Sequence, residues 1–208
     1  MRRIPRRRAC AGAPVNALNF AAFQWIAAGP RPTPWVLGLA IALALWGSWL
    51  CGAIVIAALW RHRAERAYLC IVAALAGATS AIAHAIALSL DMPRPFVLAL
   101  SPAYIEHGGR GSLPSAHAAV MFMVALAFLL RPRLRALGLP LLALAAATGW
   151  ARIYVGVHFP LDIIAGLLLA GVIAAALALV QWCVHLALPR TGGASGGKDA
   201  AGSLWRPS

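Results

Sequence analysis

The stretch Pro32–Trp60, PTPWVLGLAIALALWGSWLCGAIVIAALW, contains no charged side chain. It is longer than the roughly 20 apolar residues an α-helix needs to cross a bilayer. Trp35 and Trp60 bracket its core, and tryptophan concentrates at the two membrane–water interfaces. A second uncharged run, Ala67–Leu90, follows once Arg61, Arg63 and Arg66 are passed. Outward from these two runs the rest of the chain reads the same way. It is 62% apolar and 11% charged over 208 residues, whereas a soluble domain carries about a quarter charged residues. The expected fold class is all-α: an integral membrane helical bundle with about six transmembrane helices.

The six expected segments are residues 9–29, 35–60, 67–90, 115–130, 136–157 and 161–188. The first is the least regular, being broken by Pro14 and polar at Asn16, Asn19 and Gln24, and an interfacial helix is its alternative. Those polar residues also make a poor core for a cleaved leader, so the segment is expected to be retained. The long connection 91–114 is rich in Pro, Gly and charge, which places it outside the hydrocarbon. The chain thus divides into a basic N-terminus (1–8), one membrane domain (9–188) and a Gly- and Ser-rich tail (189–208) expected to be disordered. Cys10, Cys51, Cys70 and Cys183 show no paired spacing, so neither a disulfide framework nor a zinc site is indicated.

The net charge of +13 is distributed as topology signals are. Arg2–Arg8, Arg61–Arg66, Arg131–Arg135 and the tail (Arg190, Lys198, Arg206) hold fourteen of the 18 basic residues. With six spans these four groups share one side, taken as cytoplasmic. Basic clusters between apolar runs, without aromatics interleaved along a helix face, exclude nucleic acid as a partner. Arg31, Arg94, Arg110 and Arg152 fall on the opposite side, where the rule makes basic residues scarce. Arginine kept against that bias asks for a chemical reason.

Three stretches on that outer side hold nearly all the reactive side chains: Pro93–Pro95, Pro114–His117 and Arg152–Asp162 (RIYVGVHFPLD). Their chemistry suits phosphate. Arg94 and Arg152 offer forked donors that stay charged at any relevant pH. Ser115 follows a proline at a helix start and is placed to cap it, leaving the amides of Ala116 and His117 to face an anion. His117 and His158 can exchange protons near neutral pH. Asp162, four residues beyond His158, can hydrogen-bond one ring nitrogen and leave the other free to attack. Pro160 puts His158 in the turn before the last helix. Taken singly, each residue has a structural explanation: a snorkelling arginine, a cap, a satisfied histidine, a dipole partner. Their joint occurrence on one side favours a site. His62, His84 and His185 are read as structural. A metal centre from Glu106, His107, His117, His158 and Asp162 is the rival chemistry, and no HxH or HExxH spacing supports it.

These stretches resemble the signature of the type-2 phosphatidic acid phosphatase superfamily of membrane lipid phosphatases and haloperoxidases. The family pattern reads K-x6-R-P, then P-S-G-H, then S-R-x5-H-x3-D, and Arg94-Pro95, Pro114-Ser115, His117, Arg152, His158 and Asp162 match it in order and spacing. PRPF ending at Phe96, His107 and ARIYVGVHFPLD look most like the bacterial undecaprenyl-diphosphate phosphatase branch, which recycles the lipid carrier of peptidoglycan precursors and affects bacitracin resistance. The resemblance implies that His158 attacks phosphorus to give a phosphohistidine, that Asp162 orients it, and that His117 protonates the leaving oxygen and then activates water. Arg94, Pro95, Arg152, Ser115 and Ala116 would form the phosphate site, with Glu106, His107 and Arg110 as further candidates. No cofactor or metal is implied. The partners would be a phosphorylated membrane lipid and the bilayer, at the periplasmic side of the bacterial inner membrane.

Three positions depart from the pattern. Ala87 stands where the family has Lys, Ala116 where it has Gly, and Ala151 where it has Ser. Arg110 or another outer cation would have to replace the lost lysine. Two alternatives follow: a phosphatase for phosphatidylglycerophosphate, phosphatidate or lipid A, or a non-catalytic lipid-binding relative.

Overall fold

The computed structural model describes residues 13–187, all in helices, turns and loops. The helices are α1 (Ala13–Ile26), α2 (Pro34–Arg61), α3 (Arg66–Leu90), α4 (Ala116–Leu130), α5 (Arg135–Tyr154) and α6 (Pro160–Ala187). The basic N-terminus with Cys10 and the Gly- and Ser-rich tail lie outside the described residues.

Four helices, α2, α3, α5 and α6, are long and apolar enough to cross a membrane. Their outward faces carry large apolar side chains: Trp46, Trp49 and Ile56 on α2 and Leu168, Val172 and Val180 on α6 are each at least 60% exposed. A water-soluble bundle does not present so continuous an apolar surface, and a lipid-embedded one must. The chain is a multi-pass membrane protein.

The core is α4. It is apolar all round, the pattern of a helix buried on every side, and Ala119, Met123, Ala125, Ala127 and Phe128 are fully buried. At 15 residues it is about 22 Å long, shorter than the bilayer core, because its first turn starts inside the protein. Small residues let its neighbours close in. A Cβ at Gly166 of α6 would come within 2.9 Å of the Ser115 carbonyl oxygen and 3.0 Å of the Ala119 nitrogen.

Among the described residues the first segment holds a single helix of 14 residues, α1. Pro14 does not break α1 but sits in its first turn, where the missing N–H has no carbonyl to lose. The contacts of its described residues include the end of α5 and the start of α6. Asn19 Oδ1 accepts from the Leu161 amide at 3.1 Å, Phe20 and Phe23 meet Phe159 edge-on, and the Ala28 amide donates to Tyr154 at 3.0 Å. α1 thus packs against the end of α5 and the start of α6, with Leu18 and Trp25 exposed.

At the opposite end the turns α2–α3 and α4–α5 are clamped together. Glu65, almost buried, faces Arg133 at 3.5 Å and Arg131 at 3.8 Å, and the Tyr68 hydroxyl donates to Ala127 at 2.6 Å. Two of the arginine clusters thus share that end, as the charge distribution requires.

Candidate active site

The site forms where the long α3–α4 loop folds back over the near ends of α4, α5 and α6. The loop is pinned by backbone bonds from Arg94 to Gly109, Ser112 to Met92 and Tyr104 to Val155. Gly156, with φ of +83°, makes the turn out of α5. A Cβ there would lie 2.5 Å from the Pro102 carbonyl oxygen, so glycine is required both by its conformation and by its neighbour.

That turn delivers His158, which is 2% exposed. Its Nδ1 lies 3.2 Å from Asp162 Oδ2, so the four-residue spacing works even though α6 begins at Pro160 between them. The same carboxylate oxygen accepts from the Phe159 amide at 2.8 Å and from the Ser112 hydroxyl. Arg94 Nη1 is 3.1 Å from Nε2 and 3.4 Å from Nδ1, and also donates to the Val157 carbonyl at 2.8 Å. An arginine only donates and a carboxylate only accepts. His158 is therefore protonated on Nδ1 and keeps its lone pair on Nε2. Burial lowers its pKa from 6.5 to about 4, against the bond to Asp162 and with help from Arg152 and Arg94, so the ring is neutral at physiological pH.

Arg152, 3% exposed, is anchored to the Ala44 carbonyl of α2 at 3.2 Å and to His107 Nε2 at 2.7 Å. His107 stands edge-on to His158 at a centroid distance of 6.0 Å. Burial of its inner side, then the positive field of Arg94 and Arg152, lowers it to about 3. It is a neutral acceptor for Arg152. Ser115 caps α4 with a long contact of 3.5 Å from the Ala118 amide, and its own amide is tied to the Asp162 carbonyl at 3.0 Å. The first-turn amides of Ala116 and His117 have no carbonyl behind them in the helix.

A cavity of about 270 Å³ joins these groups, with Arg94, Arg152, His107, His117 and His158 in its walls. Arg94 Nε and Arg152 Nε are buried without partners, leaving donors to spare. The balance of charge is positive, which suits an anion. Arg110 reaches the rim, where it pairs with Asp91. Pro95 is buried and starts the 3-10 turn behind Arg94. Glu106 stays on the exposed loop outside this cavity. Ala87 lines the cavity wall, so nothing fills the place of the family lysine from that position.

Sequence reasoning missed two features. Ser112, which bonds Asp162, lies in a loop without a pattern. His84, read as structural, lines the same cavity beside His117, and only the fold reveals this.

Comparison with known proteins bears on the same residues. The sequence model of the PAP2 superfamily matches residues 65–185. YbjG of Escherichia coli K12, whose name gives it provisionally as an undecaprenyl-diphosphatase, is 34% identical over 169 residues, 81% of this chain and 84% of that protein. The undecaprenyl-diphosphatase BcrC of Bacillus subtilis 168 is 36% identical over 92 residues, 44% of this chain and 47% of its own. Among solved structures, Aquifex aeolicus LpxE superposes with a TM-score of 0.63 at 21% identity, over 78% of this chain and 95% of that one. The transmembrane PAP2-type phosphatidylglycerolphosphate phosphatase of Bacillus subtilis gives 0.60 at 18% identity, over 85% and 89%. The structures establish a shared fold, and the sequence matches establish descent: the chain belongs to the PAP2 superfamily and is a membrane phosphatase.

Proposed function

We propose that this protein hydrolyses a polyprenyl diphosphate, undecaprenyl diphosphate above others, to the monophosphate and inorganic phosphate at the periplasmic face of the bacterial inner membrane. The observation that carries the reading is His158, held through Nδ1 by Asp162 while Nε2 keeps its lone pair inside a cationic cavity. The names of the two sequence relatives support the choice of lipid. So does an apolar cavity of about 430 Å³ between α2, α3 and α4 that adjoins the cationic one, offering the first part of an isoprenoid chain a seat.

As the terminal phosphate enters, its oxygens take over the Arg94 N–H groups and free Nε2. The Nε2 lone pair then forms the N–P bond as the bridging P–O bond breaks. His117 gives its proton to the departing oxygen, so lipid monophosphate leaves neutralised at that atom. Water next attacks the phosphohistidine, His117 takes back a proton, and the N–P bond breaks to return His158 and release phosphate. Arg94, Arg152 and the amides of Ala116 and His117 hold the equatorial oxygens, where phosphoryl transfer gains most from electrostatic stabilisation.

The test is phosphate release from undecaprenyl diphosphate in detergent, with and without chelator, against phosphatidate and phosphatidylglycerophosphate. Turnover fastest on the diphosphate, unaffected by chelator and lost by about a thousandfold or more in His158→Ala is expected. Preference for a monoester lipid, or turnover intact in His158→Ala, would overturn the reading.

A further inference from the structure

His84 takes no part in the mechanism above, yet its position is unusual. It lies on α3 one turn before Ala87 and Leu88, and all three line the phosphate-sized cavity. It also lines the apolar cavity, and only His84, Ala116 and His117 belong to both walls. An ionisable side chain on a membrane-spanning helix is costly unless it faces a polar cavity and has work there. The ring is already oriented. Nδ1 is 2.8 Å from the Ser80 carbonyl oxygen, which can only accept, so Nδ1 carries the proton and Nε2 is left free.

The geometry of displacement says what Nε2 would meet. Attacking nitrogen and departing oxygen stand on opposite sides of phosphorus. His158 belongs to the polar wall alone, while His117, on the leaving side, belongs to both. Whatever is bonded beyond the departing oxygen therefore lies at the junction of the two cavities. In a diphosphate that group is a second phosphorus whose two non-bridging oxygens share one negative charge. In a monoester it is a carbon. At this place the α3 wall offers no long cation, because position 87 is alanine.

We propose that His84 holds the second, lipid-attached phosphate of a diphosphate substrate, and so sets the preference for diphosphates over monoester phosphate lipids. With both ring nitrogens protonated, the side chain donates from Nε2 to an anionic oxygen of that phosphate in a charge-assisted hydrogen bond. The proposal rests on the diphosphatase reading and identifies the residue that confers it.

The experiment compares wild type, His84→Ala, and His84→Ala combined with Ala87→Lys on undecaprenyl diphosphate and on dioleoyl phosphatidate. In His84→Ala, kcat/KM on the diphosphate should fall at least about tenfold, mainly through KM, with phosphatidate hydrolysis changed less than about threefold. Ala87→Lys should restore much of the diphosphate rate by supplying a cation from the same wall. Wild-type diphosphate hydrolysis left unchanged by His84→Ala sinks the role of His84 alone. So does an equal loss on both substrates that the lysine does not rescue. A wild type that prefers phosphatidate instead overturns the diphosphatase reading, and this proposal with it.

Discussion

His158 and His107 show how a single ring's surroundings reach into stability. Both have pKa values lowered from 6.5, to about 4 and about 3, chiefly by burial. Between those values and 6.5 the unfolded chain binds protons that the folded chain refuses, so acid favours unfolding. The stabilisation is complete above about pH 6.5 and declines as pH falls toward the folded-state values. The thermal midpoint in detergent should drop from about pH 7.5 to about pH 5, and less steeply in His107→Gln, which keeps an acceptor for Arg152 while removing one of the two titrations. Equal slopes in the two proteins would contradict this account. At this scale the sequence was informative where neighbours in space are neighbours in the chain. Arg152, His158 and Asp162 share one turn and helix start, and their spacing is the contact. Ser112 and His84 reach the site through a folded-back loop and through a cavity wall, and neither leaves a local pattern.

Between elements, the decisive contact is α6 against α4. Gly166 brings α6, with Asp162 near its start, close to the turn that carries Ser115 and His117. In Gly166→Val the added carbons meet backbone atoms that cannot rotate aside. We expect a stability loss of about 1–3 kcal/mol and a fall in turnover near a hundredfold, since an ångström of misplacement costs that much. Gly171→Ala on the same helix, with nothing within 4 Å of a new Cβ, should leave both unchanged. Thermal unfolding and phosphate release measured on the two variants check the contrast. The long apolar runs announced α2, α3, α5 and α6 to within a few residues, because lipid demands uninterrupted hydrophobic length. α1 was harder to read, since its uncharged stretch is also polar and its described helix covers Ala13–Ile26 of the expected 9–29. Its packing partners Phe159 and Leu161 are far away in the chain.

For the molecule as a whole, the arrangement of charge predicts an orientation. The Glu65–Arg133 clamp gathers two arginine clusters at one end, and the phosphate-sized cavity opens at the other. If arginines mark the cytoplasm, single cysteines introduced as Leu18→Cys and Arg110→Cys should react with a membrane-impermeant maleimide in intact spheroplasts. Arg63→Cys and Arg133→Cys should react only after permeabilisation. Labelling in the reverse order would invert the protein. Labelling of Leu18→Cys from the arginine side alone would mean that α1 crosses the bilayer.

The apolar cavity is also open along its side: Gly52 and Ile56 of α2 and Ala73 of α3 border it and remain exposed on surfaces that face hydrocarbon. A long-chain substrate of the proposed kind would glide in sideways without ever leaving its leaflet. Saturation would then follow the mole fraction of substrate in a micelle or vesicle, and diluting it with inert amphiphile would slow the reaction even at a fixed amount of substrate per litre.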